Sequence, residues 1–254
     1  MGVVLCGHTG SQNHGCEAII KSTADIFKDK TDVILSTHNI KEDKRFGISE
    51  FNKVVRYVNF DYRPVSRLVS IGIDRVFKNK KLANRIRQSP VFHTLRKKSD
   101  GNKMVSLNEG GDTYCYGTPY PSIYLNMYCQ NHEIPSVLWG CSIEKDAIEE
   151  PVILEDLKRY SLIMPRETLT YQYLIEAGIS KDRLMLMPDP AFALPIKETA
   201  FPKNFIPNNT VGINISHTAV IFNYGDKITI ENYKYLINNI INKTDMNVHL
   251  IAHH

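Results

Sequence analysis

Side chains suited to anion binding occur first in residues 7–18, a glycine-rich run that follows a short apolar segment of this 254-residue sequence. A glycine-rich turn that opens a helix exposes backbone N–H groups, and the helix N-terminus adds partial positive charge. Asn13 and Gly15 are therefore candidate binding residues for a phosphate or carboxylate. A tight strand-to-helix turn without a ligand is the alternative, because neither a Walker A nor a GxGxxG spacing occurs.

Two carboxylates flank a glycine pair in the second turn, Glu109-Gly110-Gly111-Asp112, which follows the apolar run 104–107. Parallel α/β sheets bind ligands outside the carboxyl ends of their strands, so all four residues are candidates for a substrate site. The carboxylates could orient sugar hydroxyls or act as a general base. Alternatively, Asp112 only caps the element that follows.

Three later turns each place one polar side chain after an apolar run: Ser142, Arg166 and Asp189. A guanidinium at a strand end, beside a helix N-terminus, suits bidentate binding of a carboxylate or phosphate. A structural ion pair with Glu167 or another carboxylate would use the same group. Asp189 lies in a rigid Pro-Asp-Pro turn, where it either binds a ligand or caps backbone amides.

Histidines end two strand-like segments near the C-terminus, namely His217 after residues 211–215 and His253 after 248–252. A lone histidine is usually structural, and a terminal one can be the remnant of a tag. Two histidines at strand ends on the same side of one unit are nevertheless candidates for a site. The set Cys6, His8, His14 and Cys16 invites a zinc interpretation, but its spacing fits no familiar zinc site, and we predict no metal.

The elements that must position these residues are short apolar runs alternating with amphipathic stretches. The pattern predicts parallel Rossmann-type sheets with crossover helices, an α/β fold. The predicted strands are 3–6, 33–36, 54–58, 104–107, 136–138, 162–164, 184–187, 211–215 and 248–252. The clearest predicted helices are 16–28, 168–177 and 230–241, with Gly178 as a C-cap glycine.

A proline-rich stretch at 195–209 breaks this rhythm and indicates a linker. We expect an N-terminal Rossmann-like domain at 1–194 and the start of a second Rossmann-like domain at 210–254. The second unit is expected to be incomplete, since only two strands and one helix follow the linker. The alternative is that these strands finish the first sheet.

Composition is that of a soluble globular protein, with 43% hydrophobic and 23% charged residues. The formal net charge of +4 is too small to indicate nucleic acid as a partner. Five cysteines without a CxxC pair predict free thiols in a reducing compartment. We see no signal peptide and no apolar run long enough for a membrane span, so a cytoplasmic location is expected.

Residues 75–98 contain nine lysines and arginines and no acidic residue. The segment is either a solvated helical face or a surface that contacts anionic lipid headgroups or a lipid-linked diphosphate sugar. The second interpretation implies peripheral contact with the inner face of the membrane.

The turns described above, in their order and spacing, resemble those of the polysaccharide pyruvyl transferase family. The resemblance runs from Gly7 to His253. It rests on the motifs at 13–18, 109–112, 140–143, 166–174, 188–192 and 211–214, and on the strand that ends at His253.

The resemblance implies two GT-B-like Rossmann units and transfer of a pyruvyl group from phosphoenolpyruvate to sugar hydroxyls, as a ketal. It implies donor binding by Arg166 and proton transfer by His253, with phosphoenolpyruvate as co-substrate and no other cofactor. Asp112, whose carboxylate could act as a base, is the third catalytic candidate. The acceptor would be a glycan or lipid-linked sugar in cell-surface or exopolysaccharide biosynthesis. A nucleotide-sugar glycosyltransferase of the same architecture and a non-catalytic glycan-binding relative are the alternatives.

Overall fold

The computed structural model describes residues 2–37, 39–48, 56–59, 72–73, 75–76, 78, 82, 95, 104–196, 200–203, 205–215 and 225–251. The chain divides into two compact units, Met1–Pro195 and Ile196–His254. Most of the basic segment 75–98 lies outside the described residues, as do His217 and His253.

The first unit is built on a parallel six-stranded sheet with the strand order β3-β2-β1-β4-β5-β6. The strands are β1 Gly2–His8, β2 Asp32–Thr37, β3 Arg56–Asn59, β4 Met104–Gly111, β5 Ser136–Cys141 and β6 Leu162–Pro165. Strand order reverses between β1 and β4, which are hydrogen-bonded neighbours. That reversal is the topological switch point of a doubly wound sheet.

Six α-helices of the first unit have both of their ends among the described residues. They are α1 His14–Phe27, α2 Ile40–Arg45, α3 Tyr120–Asn131, α4 Lys145–Glu149, α5 Pro151–Leu157 and α6 Thr168–Glu176. Two 3₁₀ turns, Lys181–Arg183 and Pro190–Ala193, follow α6. Gly178 follows the C-cap residue Ala177 of α6 and adopts a positive φ of 84°, which confirms its role in ending that helix.

Helices cover both faces of the sheet, and most strand positions are apolar for that reason, with the buried polar residues Ser106, Asn108 and Glu109 of β4 as exceptions. Val3 and Leu5 of β1 pack in one cluster with Ile20 of α1. The alternate residues Val4 and Cys6 face the other side, in a cluster that includes Leu125 and Cys129 of α3. The period of two along β1 thus places successive side chains in two separate cores.

A chain of buried polar groups ties the β4 region to α5. The Tyr114 hydroxyl donates to Asp156 Oδ2 at 2.7 Å and lies 2.9 Å from the Tyr160 hydroxyl. Asn108 Nδ2 donates to Tyr160 at 3.0 Å, and Asn126 Nδ2 donates to Asp156 Oδ1 at 3.2 Å. Such a network fixes one arrangement of the core, because each group that loses its partner is costly.

The second unit contains a parallel pair, β7 Thr210–Asn214 and β8 Asn247–Ile251, joined by helix α7 Gly225–Lys243. Its three elements are the ones predicted, although α7 is longer than expected. No described helix is long and apolar enough to cross a membrane. All five cysteines are free thiols, as predicted, and Cys6, Cys129 and Cys141 are buried.

One predicted strand, at 184–187, was wrong. Leu184 makes a single parallel bridge with Ile163, and the N–H groups of Met185 and Met187 donate to β6 at 3.0 Å. The ladder stops there because Pro165 has no N–H to donate back. The segment therefore follows β6 without becoming a strand.

Candidate functional site

Four of the predicted site residues meet at the carboxyl edge of the sheet. Asp112 follows β4, Ser142 follows β5 and Arg166 follows β6. Asp189 comes from the segment that runs alongside β6, just before the second 3₁₀ turn. Because neighbouring parallel strands end at the same edge, residues far apart in sequence become neighbours here.

Arg166 is the centre of this group. Its Nε donates to Ser142 Oγ at 2.7 Å, Nη1 donates to Asp189 Oδ2 at 2.8 Å, and Nη2 donates to Asp112 Oδ1 at 2.5 Å. One cation is thus balanced by two carboxylates. These three bonds use three of the five N–H groups of the guanidinium.

Backbone hydrogen bonds between adjacent strand ends hold the group in place. The Arg166 N–H donates to the Cys141 carbonyl at 3.0 Å, and the Ser142 N–H donates to the Gly111 carbonyl at 2.8 Å. Asp189 Oδ1 accepts from the Ala191 N–H at 2.9 Å, so this side chain both caps a turn and binds Arg166. The bond from the Ala191 N–H is the backbone cap that one interpretation of the Pro-Asp-Pro turn predicts, and ligand binding by Asp189 stays a prediction.

Glycines allow two close approaches at this edge. Gly140 has a φ of 65°, and a Cβ there would lie 2.6 Å from the ring of Pro190. A Cβ on Gly110 would lie 2.7 Å from the Trp139 carbonyl oxygen. Gly111, with a φ of 41°, turns the chain towards Asp112. The predicted binding residues Gly110 and Gly111 thus have a structural reason for being glycine.

The carboxylates that pair with Arg166 are those of Asp112 and Asp189 and not that of Glu167, so the structural ion pair offered as the alternative for this arginine is present with other partners. The Glu167 carboxylate instead caps α6, accepting from the N–H groups of Leu169 at 2.7 Å and Thr170 at 2.8 Å. Thr170 in turn accepts from the Ile143 N–H at 2.8 Å through its hydroxyl. These bonds tie the start of α6 to the turn that carries Ser142.

Arg166, Asp112, Ser142 and Asp189 together form what we call the arginine cluster. A cleft of about 480 Å³ opens beside it, within the first unit. It is lined by Asp112, Cys115, Tyr116, Ser142, Ile143, Glu144, Lys145, Glu167, Leu169, Thr170 and Tyr173. Tyr116 is 74% exposed, so its ring is open to a ligand. Lys145 Nζ lies 3.6 Å from Glu176 and 6.0 Å from the centre of the Tyr173 ring.

Glu109 lies apart from this cleft, buried at the end of β4. Its Oε2 is 3.3 Å from His8 Nδ1, and His8 Nε2 is 3.0 Å from Asp43 Oδ1. Burial and the Glu109 carboxylate raise the pKa of the adjacent Cys16 thiol to about 12. The structure thus places Glu109 among protein groups, whereas the sequence predicts a substrate contact.

Asn13 and Gly15 begin α1. The Asn13 side chain accepts from the N–H groups of Gly15 at 2.9 Å and Cys16 at 3.2 Å, which is a helix N-cap. The preceding Gln12 N–H donates to Glu42 Oε1 at 2.7 Å. The backbone N–H groups that the sequence assigns to an anionic ligand thus donate to carboxylate and amide oxygens of the protein itself. This favours the interpretation of the segment as a tight turn.

A sequence model of polysaccharide pyruvyl transferases matches residues 13–254, nearly the whole chain. The chain belongs to this family. The match includes every turn that contributes to the arginine cluster, and it confirms the resemblance on which the motifs were assigned. Membership of this transferase family supports an enzymatic role in polysaccharide biosynthesis. A search among curated proteins finds no significant match.

Solved structures with a similar fold were compared with this chain. The Anabaena protein HepE, in complex with UDP and glucose, aligns with a TM-score of 0.54 at 10% identity, over 100% of this chain and 70% of that one. A UDP-N-acetylglucosamine 2-epimerase aligns with a TM-score of 0.54 at 12% identity, over 100% of this chain and 69% of its own. At this identity the likeness shows the fold alone, and it confirms the predicted GT-B-like class.

The sequence analysis of this pyruvyl transferase family member did not predict the partners of His8, and it did not predict Lys145 and Tyr173 as cleft residues. His8 stood out only as a possible zinc ligand. Among the described residues, no group of His, Cys, Asp or Glu is placed to hold a metal ion. The position of His8 at the end of a buried strand was the signal that could have indicated its partners, because a buried polar group needs hydrogen-bond partners.

Proposed function

We propose that this protein transfers the pyruvyl group of phosphoenolpyruvate to two hydroxyls of a sugar, forming a cyclic ketal and releasing phosphate. Family membership supports the pyruvyl group, and the convergence of Asp112, Ser142 and Asp189 on Arg166 beside a cleft supports the location. That convergence is the observation that carries the proposal, because it unites four motifs of the matched region.

The reaction makes defined demands on the protein. Protonation of the vinyl carbon of phosphoenolpyruvate leaves the adjacent carbon cationic, and one sugar hydroxyl adds to it and loses its proton. The bond from that carbon to the phosphate oxygen then breaks, and the second hydroxyl adds with loss of its proton. The site must therefore supply an acid, a base and donors for the carboxylate and phosphate.

Asp112 is the proposed base. It is partly exposed at the cleft and bonds Arg166 through Oδ1, so Oδ2 is the oxygen we assign to the hydroxyl proton. Arg166 is proposed to bind the donor carboxylate with the N–H groups that its three partners leave over, and Lys145 supplies a second cation at the cleft wall. His253 stays our proposed acid and His217 a proposed substrate contact, and both lie outside the described residues.

The acceptor sugar is proposed to lie in the cleft. Three carboxylates and one ammonium line it, which suits sugar hydroxyls better than an anionic donor. The exposed ring of Tyr116 offers a face on which a sugar can stack. Ser142 and Asp189 keep the guanidinium in the plane that reaches Asp112, so that donor and acceptor meet at one edge.

The test is phosphate release from phosphoenolpyruvate in the presence of a panel of glycan acceptors, with Asp112→Asn as the variant. Loss of the base is expected to lower kcat about 100-fold or more, within the range for general base catalysis, with little change in the KM for phosphoenolpyruvate. Asp182→Asn, at an exposed aspartate in the first 3₁₀ turn, is the matched control and should retain wild-type kcat.

Two results would contradict the proposal. Tight binding of a UDP-sugar without turnover of phosphoenolpyruvate would favour the glycosyltransferase alternative. Glycan binding without phosphate release from any acceptor, together with unimpaired function in cells that carry Arg166→Ala, would favour a non-catalytic relative.

We further propose a cytoplasmic protein that reaches a lipid-linked acceptor through the basic segment 75–98. The support is that this segment contains nine lysines and arginines and no acidic residue. Co-sedimentation with vesicles containing anionic lipid, compared with neutral vesicles at the same salt concentration, tests it. Equal sedimentation with both would contradict membrane contact.

A further inference from the structure

The switch point between β1 and β4 is filled by the protein's own charged groups. His8, the last residue of β1, is fully buried. Its Nε2 lies 3.0 Å from Asp43 Oδ1 of α2, and its Nδ1 lies 3.3 Å from Glu109 Oε2 of β4. The Ser11 hydroxyl donates to the same Asp43 oxygen at 2.6 Å. Three elements that are distant in sequence therefore meet on one imidazole ring.

Both ring nitrogens of His8 face a carboxylate, and an imidazole can donate to both only when it is protonated. Burial alone would lower the pKa of His8, but the bonds to Asp43 and Glu109 outweigh it and raise that pKa to about 9. Burial likewise acts against ionisation of Asp43, and its bonds to His8 and Ser11 lower its pKa despite that. The cluster is thus one cation between two anions.

Glu109 connects this cluster to the arginine site. Asp112 lies three residues further along, and the turn between them is closed by the Thr113 N–H, which donates to the Gly110 carbonyl at 2.9 Å. The Thr113 hydroxyl donates back to the Glu109 carbonyl at 3.2 Å. On the opposite side, the Ser142 N–H holds the Gly111 carbonyl at 2.8 Å. Fixing the Glu109 side chain therefore anchors the start of the turn that presents Asp112.

We propose that His8 is a positioning residue, whose imidazolium clamps Glu109 and thereby holds Asp112 against Arg166. A buried ion cluster is a poor device for stability alone, because apolar groups of similar volume usually stabilise a core as well or better. A fixed orientation of the Glu109 side chain is what the charges add. The catalytic part of this inference rests on the proposed function, whereas the geometric part does not.

The test uses the double variant His8→Gln/Asp43→Asn in the full chain. Removing His8 alone would leave two buried carboxylates without a cation, whereas the double change removes one charge of each sign and keeps the net charge of the cluster. Within the described part of the chain, the remaining charged group that faces position 8 is Glu109, and the neighbouring Cys16 thiol stays protonated. Circular dichroism first confirms that the variant is folded.

Amide hydrogen exchange reads the turn directly, without any assumption about the reaction. We expect exchange of the Thr113 and Ser142 N–H groups to accelerate about tenfold or more. The Ile179 N–H, which donates to the Leu174 carbonyl at the end of α6, is the internal control and should change little. Equal acceleration of all three would indicate a general loss of stability and would overturn the proposal, as would unchanged exchange at the turn.

Kinetics supply the second measurement. We expect kcat to fall about tenfold with less than about a twofold change in the KM for phosphoenolpyruvate, and the alkaline limb of the kcat profile near pH 9 to disappear. A wild-type kcat and an unchanged alkaline limb in the folded variant would overturn the proposal. If the wild-type protein has no pyruvyl transfer activity, only the proposed function fails, and the exchange experiment still decides the role of His8.

Glu109→Gln is the second variant if the double variant does not fold. It keeps the shape of the side chain and removes its charge. The same accelerated exchange at Thr113 and Ser142 is expected, and unchanged exchange there would overturn the proposal in the same way.

Discussion

Replacing Arg166 with lysine keeps a positive charge at the site but removes the planar fork. The guanidinium now bonds Ser142, Asp189 and Asp112 at 2.7, 2.8 and 2.5 Å from three different nitrogens. An ammonium is a single point donor on a flexible stem, and it cannot reproduce the three directions at once. We expect it to keep one carboxylate partner and to lose the other two bonds.

The magnitude follows from the two lost bonds. Hydrogen bonds to charged groups contribute about 1.5–3 kcal/mol each. The side chains of Arg166 and Asp112 are 22% and 46% exposed, so solvent screening places each bond at the lower end or below, at about 1–1.5 kcal/mol. Holding the new side chain in the reaction geometry then costs a total of about 2–3 kcal/mol, which corresponds to a kcat/KM that is lower by about 30- to 150-fold.

Phosphate release from phosphoenolpyruvate, with the best acceptor of the panel, measures this change. Arg159→Lys is the matched control, because Arg159 also bonds a carboxylate, Glu155 Oε1 at 2.5 Å, on a helix outside the cleft. The control should remain within about threefold of wild type. A kcat/KM for Arg166→Lys within the same threefold would refute the reasoning, because charge alone would then suffice.

Three predictions concern stability. Tyr114→Phe removes a donor to a buried carboxylate and should lower the free energy of unfolding by about 1–3 kcal/mol in urea titrations, whereas Tyr116→Phe on the exposed neighbour should change it little. Gly140→Ala adds a clash to a positive φ and should cost more than Gly117→Ala, where φ is also positive but no atom lies within 4 Å; equal midpoints would contradict this. The pKa of His8 is raised from 6.5 to about 9, so its protonation stabilises the fold by about 3 kcal/mol below about pH 6.5, and this contribution is lost as the pH rises through about 9. A free energy of unfolding that stays constant between those two pH values would contradict this.

The strands were predictable because a sheet covered on both faces needs apolar residues at nearly every position. Strand β1, with its alternation between two cores, is the clearest example. The error at 184–187 had a chemical cause that a hydrophobic pattern does not contain. The sequence shows Pro165, but the role of its missing N–H depends on which segment lies beside β6.

The arginine cluster was predictable in membership but not in bonding. Asp112, Ser142 and Arg166 were each predicted as site residues, and they lie together because turns after parallel strands share an edge. That two aspartates and not Glu167 bind the guanidinium depends on the N-cap geometry of α6, which consumes the nearer carboxylate. The contact between His8 and Asp43 was beyond prediction, because it requires both the strand order and the placement of a six-residue helix.

The location of the proposed site follows from how the switch point is used. In doubly wound sheets that bind nucleotides, the first glycine-rich turn offers its N–H groups to a phosphate. Here the Gln12 N–H is bonded to the Glu42 carboxylate, and Asn13 satisfies two N–H groups of α1. An anionic ligand at that turn would have to displace a carboxylate and would approach a second one in Asp43. We therefore infer that substrates bind at the ends of β4, β5 and β6, where Arg166 still has N–H groups beyond those that its three partners use.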